Sequence, residues 1–135
     1  MKTYQLLIAD DHQVIINGLT EMLTNEEQLE ICGSVLRYQD LIPTLHLKKP
    51  QLLLLDVNMQ ENNTLKIIPE NQSLFPSLKI IAFTSYDTPT FRREAAKLAV
   101  PFLTKESNKE KIKRIFSIKS LENSPLNLLF ITLFC

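Results

Sequence analysis

Leu52-Leu53-Leu54-Leu55-Asp56 decides the fold. Four consecutive leucines leave no polar face, so a strand built from them must be buried on both sides. Strands of that kind occur in parallel sheets covered by helices. The run ends abruptly in a carboxylate. Two further runs share this form. Upstream, Leu6-Leu7-Ile8-Ala9 leads into Asp10-Asp11, and downstream, Leu78-Lys79-Ile80-Ile81-Ala82-Phe83 leads into Thr84-Ser85.

The segments between these runs carry helical spacing. Residues His12 to Leu23 place apolar side chains at 14, 15, 16, 19, 22 and 23, which predicts an amphipathic helix. Leu29 to Val35 reads as a weaker strand. Tyr38 to Leu47 is helix-like, with Pro43 ending or kinking it unless that proline falls in the first turn. Leu65 to Phe75 is a poor helix candidate because Pro69 interrupts it. Thr88-Pro89 pairs a capping hydroxyl with a proline at the first helical position and predicts a helix to about Leu98. Phe102-Leu103 is a short fifth strand before Thr104-Lys105. Ser107 to Glu110 has capping-box spacing, which predicts a last helix with Ile112, Ile115, Phe116 and Ile118 inward. This alternation implies an α/β fold: a doubly wound five-stranded parallel sheet with helices on both faces.

The chain has 135 residues, one domain's worth, with 44% hydrophobic and 22% charged residues. Fifteen basic and fifteen acidic side chains balance to zero, and only Lys105 to Lys119 leans basic. This gives no electrostatic reason to expect nucleic-acid or membrane binding. Cys32 and Cys135 form no CxxC pair, which argues against zinc and disulfides and fits a reducing compartment. The amino terminus has no signal-peptide layout, and no apolar run approaches a membrane span.

In a parallel sheet the carboxyl ends of all strands point one way, and ligands bind there. Asp10, Asp11, Asp56, Thr84 and Lys105 all stand at such ends. Three clustered carboxylates repel one another unless a cation joins them, and hard oxygen donors favour Mg²⁺. A carboxylate beside that ion can attack a phosphoryl group to form an aspartyl phosphate. Lys105 would offset phosphoryl charge, and Thr84 would donate a hydrogen bond to a phosphoryl oxygen.

The sequence resembles the receiver domain of bacterial two-component response regulators over roughly residues 4–118. Four motifs carry the likeness in order. They are Ile8-Ala9-Asp10-Asp11-His12 through Gly18-Leu19, Leu54-Leu55-Asp56-Val57-Asn58-Met59, Phe75 to Ser85, and Phe102-Leu103-Thr104-Lys105. The first looks like the NarL/LuxR-type subfamily. The resemblance implies the flavodoxin-like strand order 2-1-3-4-5. It implies Asp56 as phosphoacceptor from a sensor histidine kinase. Asp11 would ligate Mg²⁺, with Asp10 nearby or acting through water and the backbone carbonyl of Asn58 as a further ligand. Thr84 and Phe102 would act as switch residues, and Lys105 would bridge to the phosphoryl oxygens. A homodimer or partner would dock on the face made by the fourth helix, fifth strand and fifth helix. The implied product is a cytoplasmic phosphorelay module and phosphoprotein, not a metabolic enzyme.

The pattern also departs from the family. Gln60 stands where proline is usual, Thr64 where glycine is usual, and Leu98 and Pro101 replace two glycines before the aromatic residue. Altered turns are expected after the third strand and before the fifth. These departures motivate a rival reading, a pseudo-receiver that works without phosphorylation. An aspartate-nucleophile phosphatase is disfavoured because Asn58, two residues after Asp56, cannot act as a general acid.

Each residue alone has a plainer role. Asp10-Asp11 could cap the first helix, Asp56 could be a loop acid, Lys105 could be solvated, Thr84 could belong to a turn, and Phe102 could be core. Joint placement favours the phosphate site. No function is assigned to His12 or His46. Residues 1–120 are expected to form the receiver and 121–135 an apolar tail. That tail holds no recognisable output domain, so the chain stands alone or represents a LuxR-type transcription regulator without its DNA-binding domain.

Overall fold

The computed structural model describes residues 3–26, 29–60, 62–84, 88–98, 102–104 and 114, with the backbone alone at 62, 65, 72, 84 and 102–104. Five parallel strands form the sheet: β1 (Tyr4–Ala9), β2 (Leu29–Val35), β3 (Leu52–Asp56), β4 (Lys79–Thr84) and β5 (Phe102–Thr104). Their order is β2-β1-β3-β4-β5, the arrangement the resemblance implies. Four helices are described: α1 (Gln13–Leu23), α2 (Leu41–Lys48), α3 (Ile68–Leu74) and α4 (Pro89–Lys97).

The leucines of β3 are each at most 1% exposed, so both faces of the central strand are buried. Alternation divides them between two cores. Leu52 and Leu54 join Leu6, Ile8, Ile81 and Phe83 under Ile16, Leu19 and Leu23 of α1. Leu53 and Leu55 join Leu7, Ala9, Ile80 and Ala82 against Leu41, Leu45, Ile68, Phe91 and Ala95 of the other three helices. Each fully buried leucine contributes roughly 2 kcal/mol of apolar transfer free energy.

Two proline-bearing segments fold as helices. Pro43 lies in the first turn of α2, after a short 3₁₀ segment over Tyr38–Asp40. Pro69 does not prevent a helix, contrary to the sequence expectation. A 3₁₀ turn over Thr64–Ile67 leads into α3, and Pro69 falls at its start, where no intrahelical N–H is required. Thr88 caps α4 as expected, its Oγ1 accepting from the Phe91 N–H at 3.1 Å. Leu98 closes that helix in a right-handed conformation, so its lack of glycine brings no strain. Pro101, the last helix apart from helical Arg114, and the tail lie outside the described residues.

Register brings the acids together. Ala9 pairs with Leu55, which sets Asp10, the next residue, level with Asp56. Asp56 in turn pairs with Phe83, and Thr84 with Thr104. The chain after β3 closes in a small antiparallel ladder, Asn58–Met59 against Asn62–Asn63. Gln60 stands at its tip with φ of 51°.

Candidate functional site at the strand ends

Asp10 follows β1 and is fully buried. Its N–H donates to the Val35 carbonyl at 3.0 Å, tying the end of β1 to β2. Its Oδ1 accepts from the His12 N–H at 2.9 Å. The residue that caps α1 is His12, with no side-chain capping bond, so neither acid serves as the helix cap. Asp10 is turned into the sheet end instead. Asp11 is half-buried on the rim, and the Gln60 N–H donates to its Oδ2 at 3.0 Å. Asp56 ends β3, 3% exposed, and its Oδ1 accepts from the Asn58 N–H at 3.2 Å.

Oxygens of Asp10, Asp11 and Asp56 and a ring nitrogen of His12 all lie within 4.8 Å of one another. The three carboxylates expected at one crevice do share it. As a donor set, three hard oxygen ligands suit a small divalent cation such as Mg²⁺. The sequence pattern assigns His12 no function. Its Nδ1 stands 2.9 Å from Asp11 Oδ1 and 3.3 Å from Asp10 Oδ1, so it partly balances the acidic cluster when protonated.

Burial pushes the Asp11 carboxyl upward, yet the opposing influences win and hold it below its ordinary range. They are chiefly the Gln60 N–H and the nearby His12 charge. The anionic form suited to a metal ligand is therefore favoured.

Thr64 is a second supporting residue. It is fully buried, and its hydroxyl donates to the Asp56 main-chain carbonyl at 2.6 Å while its N–H reaches the Val57 carbonyl at 2.7 Å. A glycine could not make the first of these bonds. Among the other expected site residues, Asn58 follows Asp56 closely on the exposed side of the turn. The backbone of Thr84 reaches the same sheet end, and that of Phe102 pairs with Ala82. The side chains of Thr84 and Phe102, and the whole of Lys105, lie outside the described residues.

Comparison with known proteins identifies this arrangement. The profile of the response regulator receiver domain matches residues 6–117. The uncharacterized transcriptional regulatory protein YhcZ of Bacillus subtilis is 30% identical over 82 residues, covering 61% of this chain and 38% of YhcZ. The response regulator protein VraR of Staphylococcus epidermidis is 28% identical over 82 residues, covering 61% of this chain and 39% of VraR. The matched stretch thus spans about two-fifths of these curated relatives. The signal receiver domain of NarL from Mycobacterium tuberculosis superposes with a TM-score of 0.80 at 16% identity, over 91% of this chain and all of that one, which speaks to the fold. Among the described residues no helix is long and apolar enough to cross a membrane. With its acids gathered at the carboxyl end of a 2-1-3-4-5 sheet, the chain belongs to the response regulator receiver domain family.

Proposed function

We propose that residues 1–120 form a phosphoacceptor switch in a cytoplasmic two-component pathway, with Asp56 taking a phosphoryl group from a sensor histidine kinase. The observation that carries this reading is the meeting of Asp10, Asp11 and Asp56 oxygens within 4.8 Å at the strand ends. Asp10, Asp11, Asp56 and the Asn58 backbone carbonyl would hold Mg²⁺. The ion supplies Lewis acidity and neutralises charge on the phosphoryl oxygens.

The Asn58 N–H on Asp56 Oδ1 restrains rotation of the carboxylate that reacts. A carboxylate oxygen of Asp56 attacks phosphorus. The phosphorus–nitrogen bond to the kinase histidine breaks, and the departing imidazole nitrogen keeps the electron pair and takes a proton from solvent. The product is an acyl phosphate carrying close to two negative charges. Lys105 pairs with its oxygens and Thr84 donates to one of them. Phe102 changes rotamer as Thr84 moves. The face of the fourth helix, fifth strand and fifth helix then favours its docking conformation for a partner or second copy. In this reading the chain is the receiver portion of a LuxR-type transcription regulator, and residues 121–135 lie beyond the switch.

The test is incubation of the full chain with acetyl phosphate and Mg²⁺, followed by intact mass measurement. Wild type gains one phosphoryl group, while Asp56→Asn and chelator-treated wild type gain none. A wild type that stays unlabelled under conditions that phosphorylate an ordinary receiver would contradict this reading. That result would favour a phosphate-independent interaction module, the reading that the departures at Gln60 and Thr64 motivate.

A further inference from the structure

Gln60 holds a backbone conformation that residues with a Cβ rarely adopt, at φ of 51°. Two hydrogen bonds accompany it. The Gln60 N–H donates to Asp11 Oδ2 at 3.0 Å, and the Gln60 side-chain Oε1 accepts from the Tyr38 N–H at 2.9 Å. One residue therefore ties together the segments that follow β1, β2 and β3. Asp11 is the rim member of the acidic cluster, its side chain 21% exposed, whereas the side chain of Asp10 is 1% exposed and held by burial.

We propose that Gln60 is a positioning residue for Asp11: its N–H fixes one oxygen of the carboxylate, and its side chain, anchored on Tyr38, keeps that N–H aimed. The inference rests on the divalent-ion reading above and deepens it. A carboxylate on the rim otherwise samples several rotamers, and a cation that recruits it must order it first. Holding Oδ2 beforehand removes part of that ordering and strengthens ion binding. The device depends on a left-handed residue that still carries an N–H. Proline has neither the donor nor access to this φ. Glycine has both without any side-chain anchor.

That contrast supplies the test. Mg²⁺ affinity is measured on the full chain by amide NMR titration, with circular dichroism and a urea midpoint as controls for folding. Gln60→Ala keeps the N–H but loses the Tyr38 anchor, and its affinity falls about three- to tenfold. Gln60→Gly keeps the N–H and reaches this φ at less cost than alanine, so it is the more stable of the two in urea, yet without the Tyr38 anchor its affinity falls about as far as that of Gln60→Ala. Gln60→Pro, without donor or φ, loses about tenfold or more. A merely structural role would instead make affinity follow stability. In a metal-free arm, the Gln60 amide proton lies downfield in wild type and moves upfield in Asp11→Ala.

A Gln60→Ala or Gln60→Gly variant that binds as wild type does overturns this inference alone. So does an amide proton that ignores Asp11→Ala. A wild type that takes no Mg²⁺ overturns the ion reading and this inference with it.

Discussion

Thr64 shows how one hydroxyl supports the acid it never replaces. Its donation to the Asp56 carbonyl is made in a fully buried place, so the carbonyl has no water to turn to when the hydroxyl is removed. Thr64→Val keeps the shape and removes the donor. It should destabilise the fold by about 1–2 kcal/mol, read from urea denaturation. An unchanged midpoint would show that the bond contributes nothing. Asp11 gives a prediction in pH. Its carboxyl lies below the ordinary value of 3.8, so the folded state favours the anion more than the unfolded chain does. The stability this provides is fully present above the ordinary carboxylate value and is lost as pH falls through the lower folded value. The stability gap between wild type and Asp11→Asn should therefore close on acidification below about pH 4. A gap that widens there would contradict the assignment.

Among the elements, β3 carries the most. Its leucines pack into both cores, so neither face can relax toward solvent when one is cut back. Leu54→Ala should cost about 2–5 kcal/mol in urea denaturation. A loss below about 1 kcal/mol would mean that the strand is less central than its burial indicates. The same continuous run made β3 legible in the sequence, and the hydroxyl-proline pair at Thr88-Pro89 did the same for α4. Pro69 was misleading because a proline disrupts a helix interior but not its first turn, and the residue at which α3 begins depends on the preceding 3₁₀ segment. Gln60 and Thr64 were legible only as departures from a family pattern. Their hydrogen bonds join residues 49 and 8 positions apart, pairings that no local periodicity encodes.

For the whole molecule, strand order turns separate acids into one cluster. Ala9 beside Leu55 suffices to place Asp10 and Asp56 together, which is why three acids at strand ends could be read as a site before any coordinates. The contribution of His12 could not be read this way, since its ring direction depends on where α1 starts. Binding of an ion at this junction stabilises the entire fold by linkage. Mg²⁺ at ten times its dissociation constant should add about 1.4 kcal/mol to unfolding free energy, measured as a rise in urea midpoint. Asp11→Ala should lose most of that rise. A mutant response equal to wild type would place the ion elsewhere.

The proposed switch turns on Asp56 as the residue that takes the phosphoryl group. Borohydride reduction of the acetyl-phosphate-treated chain converts an aspartyl phosphate to homoserine, and peptide mass sequencing then locates the change. Homoserine is expected at position 56 and at no other acid. Homoserine at position 10 or 11, or none anywhere after a treatment that labels a known receiver, would contradict it.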